Sequence, residues 1–345
     1  MYQEALEKLQ KKASQKGIPL TGTFELTERC NFGCSFCYVC DRQSSLAMAE
    51  RSTQEWLDII QAAADQGMFV VCFTGGEVFT RPDFEELYCK TYDMGTKVTI
   101  FSNGSLIGER QRAFLKKRPP DRVDISLYGM SEKSYESTCG QSGAYYTVFA
   151  AIDELLKDNI PVSVKTNAMA PLKNDYAKMA EYVRQKHLKF RFSPYLGPER
   201  GYCKNLDTAV RMNAEDILEI QKMFKSAGVL PKYERDDKPR KEKCFRCSAG
   251  KSSFFINAQG LMTTCAFFTG FYTSPFETDF KTAWLDLKEK VKEEEGCLEC
   301  VNCEEYAYCQ KCPAVLQAET GSADKCTDYL KAMARNNRLL YGEML

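Results

Sequence analysis

Short runs rich in β-branched and aromatic residues alternate with longer stretches of helical periodicity through most of the chain. The short runs predict six strands, at 22–28, 68–73, 97–101, 122–128, 162–168 and 189–192. The longer stretches predict helices around 52–67, 83–93, 106–117, 143–158 and 172–187, after a short amphipathic helix at the N-terminus. Strands and helices in this alternating order are typical of an α/β fold with a parallel sheet, closed or curved.

The helix at 52–67 has recognisable ends. Ser52 and Glu55 stand at the spacing of a capping box, in which each side chain satisfies a backbone N–H of the first turn. Gly67 follows the last helical residues and predicts the C-terminal end of the helix.

Polar motifs follow the first four strands. Cys30 comes directly after the first strand, "TGGE" (74–77) after the second, "SNG" (102–104) after the third and "YG" (128–129) after the fourth. The carboxyl ends of parallel strands meet at one edge of a sheet, and the chemistry of such folds lies at that edge. We therefore expect these motifs to lie together.

The composition changes beyond "SPYLGPERGYC" (193–203). A predicted helix around 213–227 is followed by the charged stretch "YERDDKPRKEK", and a second cysteine-rich region begins at 244. This region contains a predicted hairpin at 252–265, a charged helix near 281–294 and a closing helix from about 327. We divide the chain into an N-terminal helix (1–20), an α/β domain (21–200), a linker helix and loop (201–242) and a small cysteine-rich domain (243–345).

The charge balance excludes several classes of partner. The chain has 345 residues, of which 47 are basic and 47 are acidic, and it has no long run of like charges. We therefore expect neither nucleic-acid nor membrane-surface binding. No stretch approaches the roughly 18 apolar residues of a membrane span, and the N-terminus lacks the pattern of a signal peptide. We expect a cytoplasmic protein.

Seventeen cysteines and a single histidine, His187, limit the metals to consider. In a chain of this length without a secretion signal, cysteines are metal ligands more often than disulfide partners. One imidazole is too few for histidine-rich zinc or non-haem iron sites. Thiolate ligands favour zinc or iron–sulfur clusters.

The stretch "ERCNFGCSFCYVCD" (28–41) holds four of the cysteines. Cys30, Cys34 and Cys37 have the spacing C-x3-C-x2-C, with Phe36 directly before the last, and Cys40 falls outside the set. Three thiolates on one loop can hold three irons of a [4Fe–4S] cluster and leave the fourth iron open. The spacing resembles that of the radical S-adenosylmethionine (SAM) superfamily, in which SAM chelates this iron. A zinc loop is the plainer alternative.

Other motifs extend the resemblance over about residues 20 to 195. "TGGE" resembles the GGE motif of the superfamily, in which Gly75 and Gly76 allow a close backbone approach and Glu77 would accept from the SAM ammonium group. Val78 stands where a proline is usual. The resemblance implies further SAM-binding residues, namely Phe36, Ser102, Asn103, Ser126 and Lys165. The alternative interpretation is that Ser102, Asn103 and Ser126 are turn formers and that Lys165 is a surface lysine.

The resemblance also implies a fold and a chemistry. The fold would be a partial (β/α)6 radical SAM barrel. The chemistry would be one-electron reduction of SAM to methionine and a 5′-deoxyadenosyl radical, which abstracts hydrogen from a substrate. An electron donor such as flavodoxin or ferredoxin is expected.

The C-terminal cysteines follow a second pattern. Cys247 and Cys265 flank Gly260, and "CVNCEEYAYCQKC" (300–312) precedes an isolated Cys326. This resembles the SPASM extension of radical SAM enzymes, although "CQKC" is one residue shorter than the usual last pair. The resemblance implies two auxiliary [4Fe–4S] clusters, with Cys244, Cys247, Cys265 and Cys312 as ligands of the first and Cys300, Cys303, Cys309 and Cys326 as ligands of the second. A zinc ribbon is the alternative.

Six cysteines lie outside these sets. Cys72 and Cys89 are expected in the core, because they stand in a buried strand and a helical pattern. Cys203 follows the sixth strand and is a candidate hydrogen-atom donor or substrate contact, or a plain loop residue. Cys40, Cys139 and Cys297 have no assigned role.

Enzymes with a SPASM extension commonly modify ribosomal peptides, and the stretch from "ISLYG" (125–129) onward most resembles peptide maturases. We predict that the protein abstracts hydrogen from a ribosomal precursor peptide and forms a thioether or carbon–carbon crosslink. The peptide is expected to bind in a groove that includes Tyr128 and Tyr195. The alternatives are a peptide epimerase, an anaerobic sulfatase-type formylglycine maturase and a non-enzymatic iron–sulfur electron-transfer or scaffold protein. Barely twenty residues precede the first strand, so we expect leader recognition by a separate protein or by the catalytic domain itself.

Overall fold

The computed structural model describes residues 2–39, 50–198, 200, 210–230, 247–294, 297–309 and 312–342. Cys40, Cys203 and Cys244 lie outside the described residues, as do parts of the predicted linker at 201–242.

Six parallel strands form the main part of one sheet. They are β1 (Thr21–Glu25), β2 (Val70–Thr74), β3 (Lys97–Ser102), β4 (Arg122–Ser126), β5 (Val162–Asn167) and β6 (Lys189–Ser193). Each strand pairs with its neighbours along the chain, so the spatial order β6-β5-β4-β3-β2-β1 follows the sequence. The predicted parallel α/β fold is confirmed, and the carboxyl ends of these strands share one edge.

Two strands from the C-terminal part extend the same sheet. β7 (Ser253–Ile256) runs parallel to β1, with Thr21 paired to Ser253. β8 (Met262–Thr263) pairs antiparallel with β7. The hairpin predicted at 252–265 is therefore confirmed, and it joins the sheet beside β1.

Twelve α-helices are present in the described residues. They are α1 (Tyr2–Lys16), α2 (Thr53–Asp65), α3 (Phe84–Asp93), α4 (Glu109–Lys117), α5 (Glu132–Cys139), α6 (Ala144–Lys157), α7 (Tyr176–Gln185), α8 (Ala214–Ser226), α9 (Phe280–Glu293), α10 (Leu298–Val301), α11 (Pro313–Thr320) and α12 (Asp328–Tyr341). The sequence did not predict α5, α10 and α11, because helices of eight residues or fewer hold too few apolar positions to show a period. Within the described part of the chain, every helix is too short or too polar to cross a membrane.

The ends of α2 are those the sequence predicts. The Ser52 hydroxyl accepts from the Glu55 N–H at 3.3 Å, and the Ser52 N–H donates to the Glu55 carboxylate at 2.8 Å. Gly67, at φ 104°, adopts a left-handed conformation that glycine tolerates best. The capping box contributes about 1 kcal/mol to the stability of the helix.

Aromatic side chains hold the hairpin against the rest of the core. Phe24 on β1 lies edge-to-face on Trp56 at 6.2 Å and on Phe254 of β7 at 5.7 Å between ring centroids. Phe254 in turn packs on Phe280 of α9 at 5.0 Å. Burial of each such side chain contributes about 2 to 3 kcal/mol. The C-terminal part is therefore packed into the same core as β1.

Candidate functional site

Three predicted site residues form one hydrogen-bonded network around Glu77. The Ser102 hydroxyl donates to the two carboxylate oxygens of Glu77 at 2.9 and 3.1 Å, and the backbone N–H of Asn103 donates at 2.7 Å. All three residues are buried. They come together because β2 and β3 are neighbouring parallel strands that end side by side.

The glycine turn after β2 packs against the chain that leads to Cys30. The Gly76 N–H donates to the Thr27 carbonyl and the Glu77 N–H to the Arg29 carbonyl, both at 2.8 Å. A Cβ on Gly76 would lie 2.4 Å from the Arg29 carbonyl oxygen, and one on Gly75 would lie 2.6 Å from that of Thr27. Both glycines are required here for close packing of the protein's own backbone. Their contact with SAM stays a prediction.

The two charged groups of this site have shifted pKa values. Burial raises the pKa of the Glu77 carboxyl to about 7, although hydrogen bonds from Asn103, Phe79 and Ser102 oppose the shift. Burial lowers the pKa of the Lys165 ammonium to about 8, and its Nζ lies 3.4 Å from the centre of the Phe101 ring. An ammonium group bound next to Glu77 would favour the ionised form of Glu77. A carboxylate bound next to Lys165 would favour the ionised form of Lys165.

The cysteine loop lies directly beside the Glu77 network. The Asn103 side-chain amide donates to the side-chain oxygen Oδ1 of Asn31 at 2.9 Å and lies 3.9 Å from the Cys30 sulfur. Cys30, Cys34 and Cys37 are all half-buried. The structure thus brings the first cysteine of the motif to the ends of β2 and β3.

Phe36 connects the loop to the end of β4. Its ring lies 5.0 Å from that of Tyr128, edge-to-face. Ser126 is the last residue of β4, two residues before Tyr128. Phe36 therefore lies near the strand end that carries Ser126.

A helix that the sequence did not predict supports the cysteine loop. The Gly33 N–H donates to the Cys139 carbonyl at 2.7 Å, and the Ser35 N–H donates to the Thr138 carbonyl at 3.2 Å, both at the C-terminal end of α5. The Cys139 side chain is buried, and the neighbouring Cys34 together with burial raises the pKa of the Cys139 thiol. The local signals for this helix are its N-cap Ser131, whose hydroxyl accepts from the Ser134 N–H, and Gly140, which ends it with φ 65°.

A buried ion pair that the sequence analysis missed closes the loop on its other side. Glu25, the last residue of β1, is fully buried and accepts two hydrogen bonds from the Arg200 guanidinium, each of 2.9 Å. The backbone N–H of Arg200 donates to the Tyr38 carbonyl at 2.9 Å. The chain beyond β6 is thereby held over the cysteine loop. The two partners are far apart in sequence, and neither belongs to a motif.

Three cysteines of the C-terminal part lie near one another. Cys265 and Cys312 pack against one small cluster of buried apolar residues, which includes Ala314 and Val291. Their thiols lie within electrostatic range of each other and of Cys247. These are three of the four residues predicted for the first auxiliary cluster, and the fourth, Cys244, is outside the described residues.

A second group forms around Cys297 and the start of α12. Cys300 and Cys326 pack with the buried Cys297, Leu316 and Leu330. The Cys326 thiol lies within electrostatic range of Cys309 and Cys297. Cys303 continues the turn after Cys300, where its N–H donates to the Cys300 carbonyl at 3.3 Å. Cys297, which had no assigned role, thus lies among predicted ligands of the second cluster.

The donor chemistry of these groups fits iron–sulfur clusters. Among the described residues, no three Cys, His, Asp or Glu side chains are gathered closely enough to hold a metal ion as they stand. The Phe32 N–H, however, donates to the Cys30 sulfur at 3.4 Å. Ligating sulfur accepts such bonds in iron–sulfur proteins.

A buried ion pair fixes α11 of the C-terminal part to the loop after β6. The Arg211 guanidinium pairs with the Glu319 carboxylate, and it also donates to the Leu196 carbonyl at 2.8 and 3.1 Å. The Tyr195 hydroxyl donates to Glu319 at 2.7 Å. Because α11 begins after Cys312, this pair places the cysteine groups relative to the active edge of the sheet.

The chain is similar to one protein family and to several curated proteins. Residues 24–185 match the model of the Radical SAM superfamily. The chain is 26% identical to the sporulation killing factor maturation protein SkfB of Bacillus subtilis, over 72% of the chain and 60% of that protein. It is 25% identical to the AdoMet-dependent heme synthase of Methanosarcina barkeri, over 89% of the chain and 93% of the synthase. The chain therefore spans less than two thirds of the length of the first relative and nearly all of the second.

Comparison with solved structures supports the fold. The structure of native anSMEcpe with bound AdoMet and the Cp18Cys peptide superposes with a TM-score of 0.73, over 94% of this chain and 97% of that one, at 14% sequence identity. At this identity the similarity shows a shared fold.

Proposed function

Because the chain is an enzyme of the radical SAM superfamily, we propose that it abstracts a hydrogen atom from a ribosomal precursor peptide and forms a thioether or carbon–carbon crosslink. One structural observation supports the site. Asn103 joins the Glu77 network to the cysteine loop, since its backbone donates to Glu77 and its side chain lies 3.9 Å from the Cys30 sulfur. A SAM site and a cluster site would therefore be adjacent at the edge of the sheet.

In this proposal Cys30, Cys34 and Cys37 hold a [4Fe–4S] cluster and leave one iron for SAM. When bound, the cluster supplies the electron that cleaves SAM into methionine and a hydrogen-abstracting 5′-deoxyadenosyl radical. The protein contributes a partly buried loop with N–H donors to sulfur, and Glu25 with Arg200 covers its far side.

The side chains at the strand ends would bind SAM. Glu77 would accept from the SAM ammonium group, and the raised pKa of this carboxyl would fall when the cation arrives. Lys165 would meet the SAM carboxylate, and Phe36, Gly75, Gly76, Ser102, Asn103 and Ser126 would line the rest of the site. Ser102 and Asn103 act by orienting Glu77.

The C-terminal cysteines would hold two auxiliary [4Fe–4S] clusters. The proximity of Cys247, Cys265 and Cys312 supports the first set, which Cys244 would complete. The grouping of Cys300, Cys309 and Cys326 supports the second set, which Cys303 would complete. Metal–thiolate bonds would then hold together a region with few apolar contacts of its own.

The peptide would lie over the carboxyl ends of the strands, between the SAM site and the C-terminal cysteines. Tyr128 and Tyr195 would contact it through their rings, since the Tyr195 hydroxyl already donates to Glu319. The presence of a peptide in the anSMEcpe structure and the name of the maturation protein SkfB support this class of substrate. A separate leader-binding protein would be a further partner.

Crosslink formation removes two hydrogen atoms from the peptide. One goes to the 5′-deoxyadenosyl radical, and the other leaves as a proton and an electron. The auxiliary clusters would accept this electron, and a flavodoxin or ferredoxin would exchange electrons with the protein. An epimerase would instead return a hydrogen atom, for which Cys203 is the candidate donor.

Mass spectrometry of a precursor peptide co-expressed with the enzyme tests the proposal. A peptide encoded beside the gene should lose two hydrogens in the presence of the enzyme and not in its absence. An unchanged mass with deuterium taken up from heavy water would identify an epimerase. Conversion of a sulfatase-derived peptide to formylglycine would identify a sulfatase-type maturase instead.

Heme synthesis is a second candidate function, because the heme synthase of Methanosarcina barkeri matches this chain over nearly its whole length. The same SAM site would then act on a tetrapyrrole. Anaerobic incubation with a heme precursor, followed by absorption spectroscopy of the product, distinguishes the two. Heme formation without modification of any peptide would replace the first proposal.

A further inference from the structure

The side chain of Asn103 belongs to a closed ring of hydrogen bonds with Asn31 and Ser105. The Asn103 amide donates from Nδ2 to the Oδ1 atom of Asn31 at 2.9 Å. The Asn31 amide donates to the Ser105 hydroxyl at 2.8 Å, and this hydroxyl donates to the Oδ1 atom of Asn103 at 2.8 Å. The ring therefore joins the cysteine loop, which carries Asn31, to the turn after β3.

The backbone of this turn fixes the direction of the ring. Gly104 adopts a left-handed conformation, with φ 83°, and the Ser105 N–H donates to the Oδ1 atom of Asn103 at 2.9 Å. A backbone N–H can only donate, so a rotated Asn103 amide would place its own N–H groups against another donor. The Asn103 oxygen must therefore face Ser105, and its nitrogen must face the cysteine loop.

The same nitrogen lies at the Cys30 sulfur. Nδ2 of Asn103 carries two hydrogens, of which one is donated to Asn31. The Cys30 sulfur is within reach of the other, because it accepts from Nδ2 at 3.9 Å. Asn103 is buried, whereas Asn31 is exposed and Ser105 is half-buried. Asn31 and Ser105 can therefore be replaced without opening a cavity in the core.

We propose that Asn31 and Ser105 hold the Asn103 amide in the orientation that donates to the Cys30 sulfur, and thereby raise the reduction potential of the [4Fe–4S] cluster that Cys30 would help to hold. This inference rests on the proposed function, in which Cys30 is a cluster ligand. Reduction adds negative charge that the ligating sulfurs partly carry, so an N–H donor stabilises the reduced cluster more than the oxidised one. Asn31 and Ser105 act through Asn103 and are positioning residues.

A purely structural ring would behave differently. It would only tie the cysteine loop to the end of β3, and its loss would lower stability without changing the potential. A double variant separates the two roles. If Ser105 acts through the Asn103 side chain, its substitution has no further effect on the potential once that side chain has been removed.

The test uses the anaerobically reconstituted full chain. Asn31→Ala and Ser105→Ala each break the ring, and Ser105→Thr keeps the hydroxyl. Asn103→Ala is compared with the double variant Asn103→Ala/Ser105→Ala. Ser142→Ala, at an exposed serine, is the control. Iron content, thermal unfolding and the midpoint potential of the SAM-responsive electron paramagnetic resonance (EPR) signal, titrated without SAM, are measured for each.

We expect Asn31→Ala and Ser105→Ala to keep their iron and to shift the midpoint potential to more negative values. Ser105→Thr and Ser142→Ala should match the wild type. Asn103→Ala should shift the potential in the same direction, and the double variant should have the same potential as Asn103→Ala.

An unchanged potential in both Asn31→Ala and Ser105→Ala would overturn the inference, and so would a further shift in the double variant. Loss of iron in the single variants would also overturn it, because the ring would then hold the loop together. None of these measurements needs a peptide, so the inference does not depend on the substrate assignment. Absence of any SAM-responsive signal in the reconstituted wild type would instead defeat the proposed function, and this inference with it.

Discussion

The hydroxyl of Ser102 donates to both carboxylate oxygens of Glu77, at 2.9 and 3.1 Å, and both side chains are buried where β2 and β3 end side by side. A hydrogen bond to a charged group contributes about 1.5 to 3 kcal/mol. We expect Ser102→Ala to weaken SAM binding about tenfold or more, because the carboxylate loses the group that orients it. The SAM dependence of 5′-deoxyadenosine formation measures this. Ser142→Ala, at an exposed serine, serves as the control.

The pKa of Glu77 makes the stability of the cluster-free protein depend on pH. Its carboxyl has a pKa of about 7 in the folded chain, against 4.5 when unfolded, so between these values the folded state binds more protons. Stability should therefore fall as pH rises from about 4.5 to 7, by up to about 3 kcal/mol. Urea unfolding at several pH values measures the slope. Glu77→Gln should remove this part of it, and an identical slope in the variant would contradict the assigned cause.

Iron content tests the three proposed ligand sets. The anaerobically reconstituted protein should hold about twelve irons, four in each cluster. Cys265→Ala should lower this number by about four and leave SAM cleavage measurable in the absence of peptide. Iron and sulfide analysis measures this number. About four irons in the fully reconstituted wild type would contradict the two auxiliary ligand sets.

The boundary of the cysteine motif is tested at Cys40. Ala substitutions at Cys30, Cys34 or Cys37 should abolish 5′-deoxyadenosine formation, because each removes a ligand of the SAM-binding cluster. Cys40→Ala should retain it at close to the wild-type rate. Loss of activity in Cys40→Ala with unchanged iron content would show that the functional motif extends further than its spacing predicts.

The Arg211–Glu319 pair should contribute to the docking of the C-terminal part. Their side chains are only 13% and 7% exposed, so Arg211→Met leaves an unpaired carboxylate in a poorly solvated place. We expect a loss of about 3 to 5 kcal/mol in the free energy of unfolding. The double variant Arg211→Met/Glu319→Met should recover most of the lost free energy of unfolding, because no charge is then left unpaired.

A surface pair provides the control for this experiment. Lys222 and Glu219 are 54% and 71% exposed, and Lys222→Met should cost less than about 1 kcal/mol. Denaturant unfolding of all four proteins measures the difference. Equal effects at the two sites would show that burial does not strengthen the Arg211 pair.

The strands and the parts of the site at their ends could be predicted from the sequence, because both depend on local pattern. Alternation and β-branched content are properties of five to seven neighbouring residues, and each strand formed where its own residues favour it. Glu77 and Ser102 could be predicted to meet, since parallel strands place their carboxyl ends at one edge. The sequence by itself therefore determined where the six strands lie along the chain and which edge of the sheet carries the chemistry.

The tertiary structure alone decided which side chains support that edge. Cys139 lies against Cys34, Arg200 against Glu25 and Arg211 against Glu319, over separations of roughly one hundred residues or more. Such contacts depend on how loops and short helices return to the sheet, and no local period or spacing encodes that path. The helix α5 was missed for the same reason: its few apolar residues become informative only once Tyr135 and Cys139 are packed against the cysteine loop.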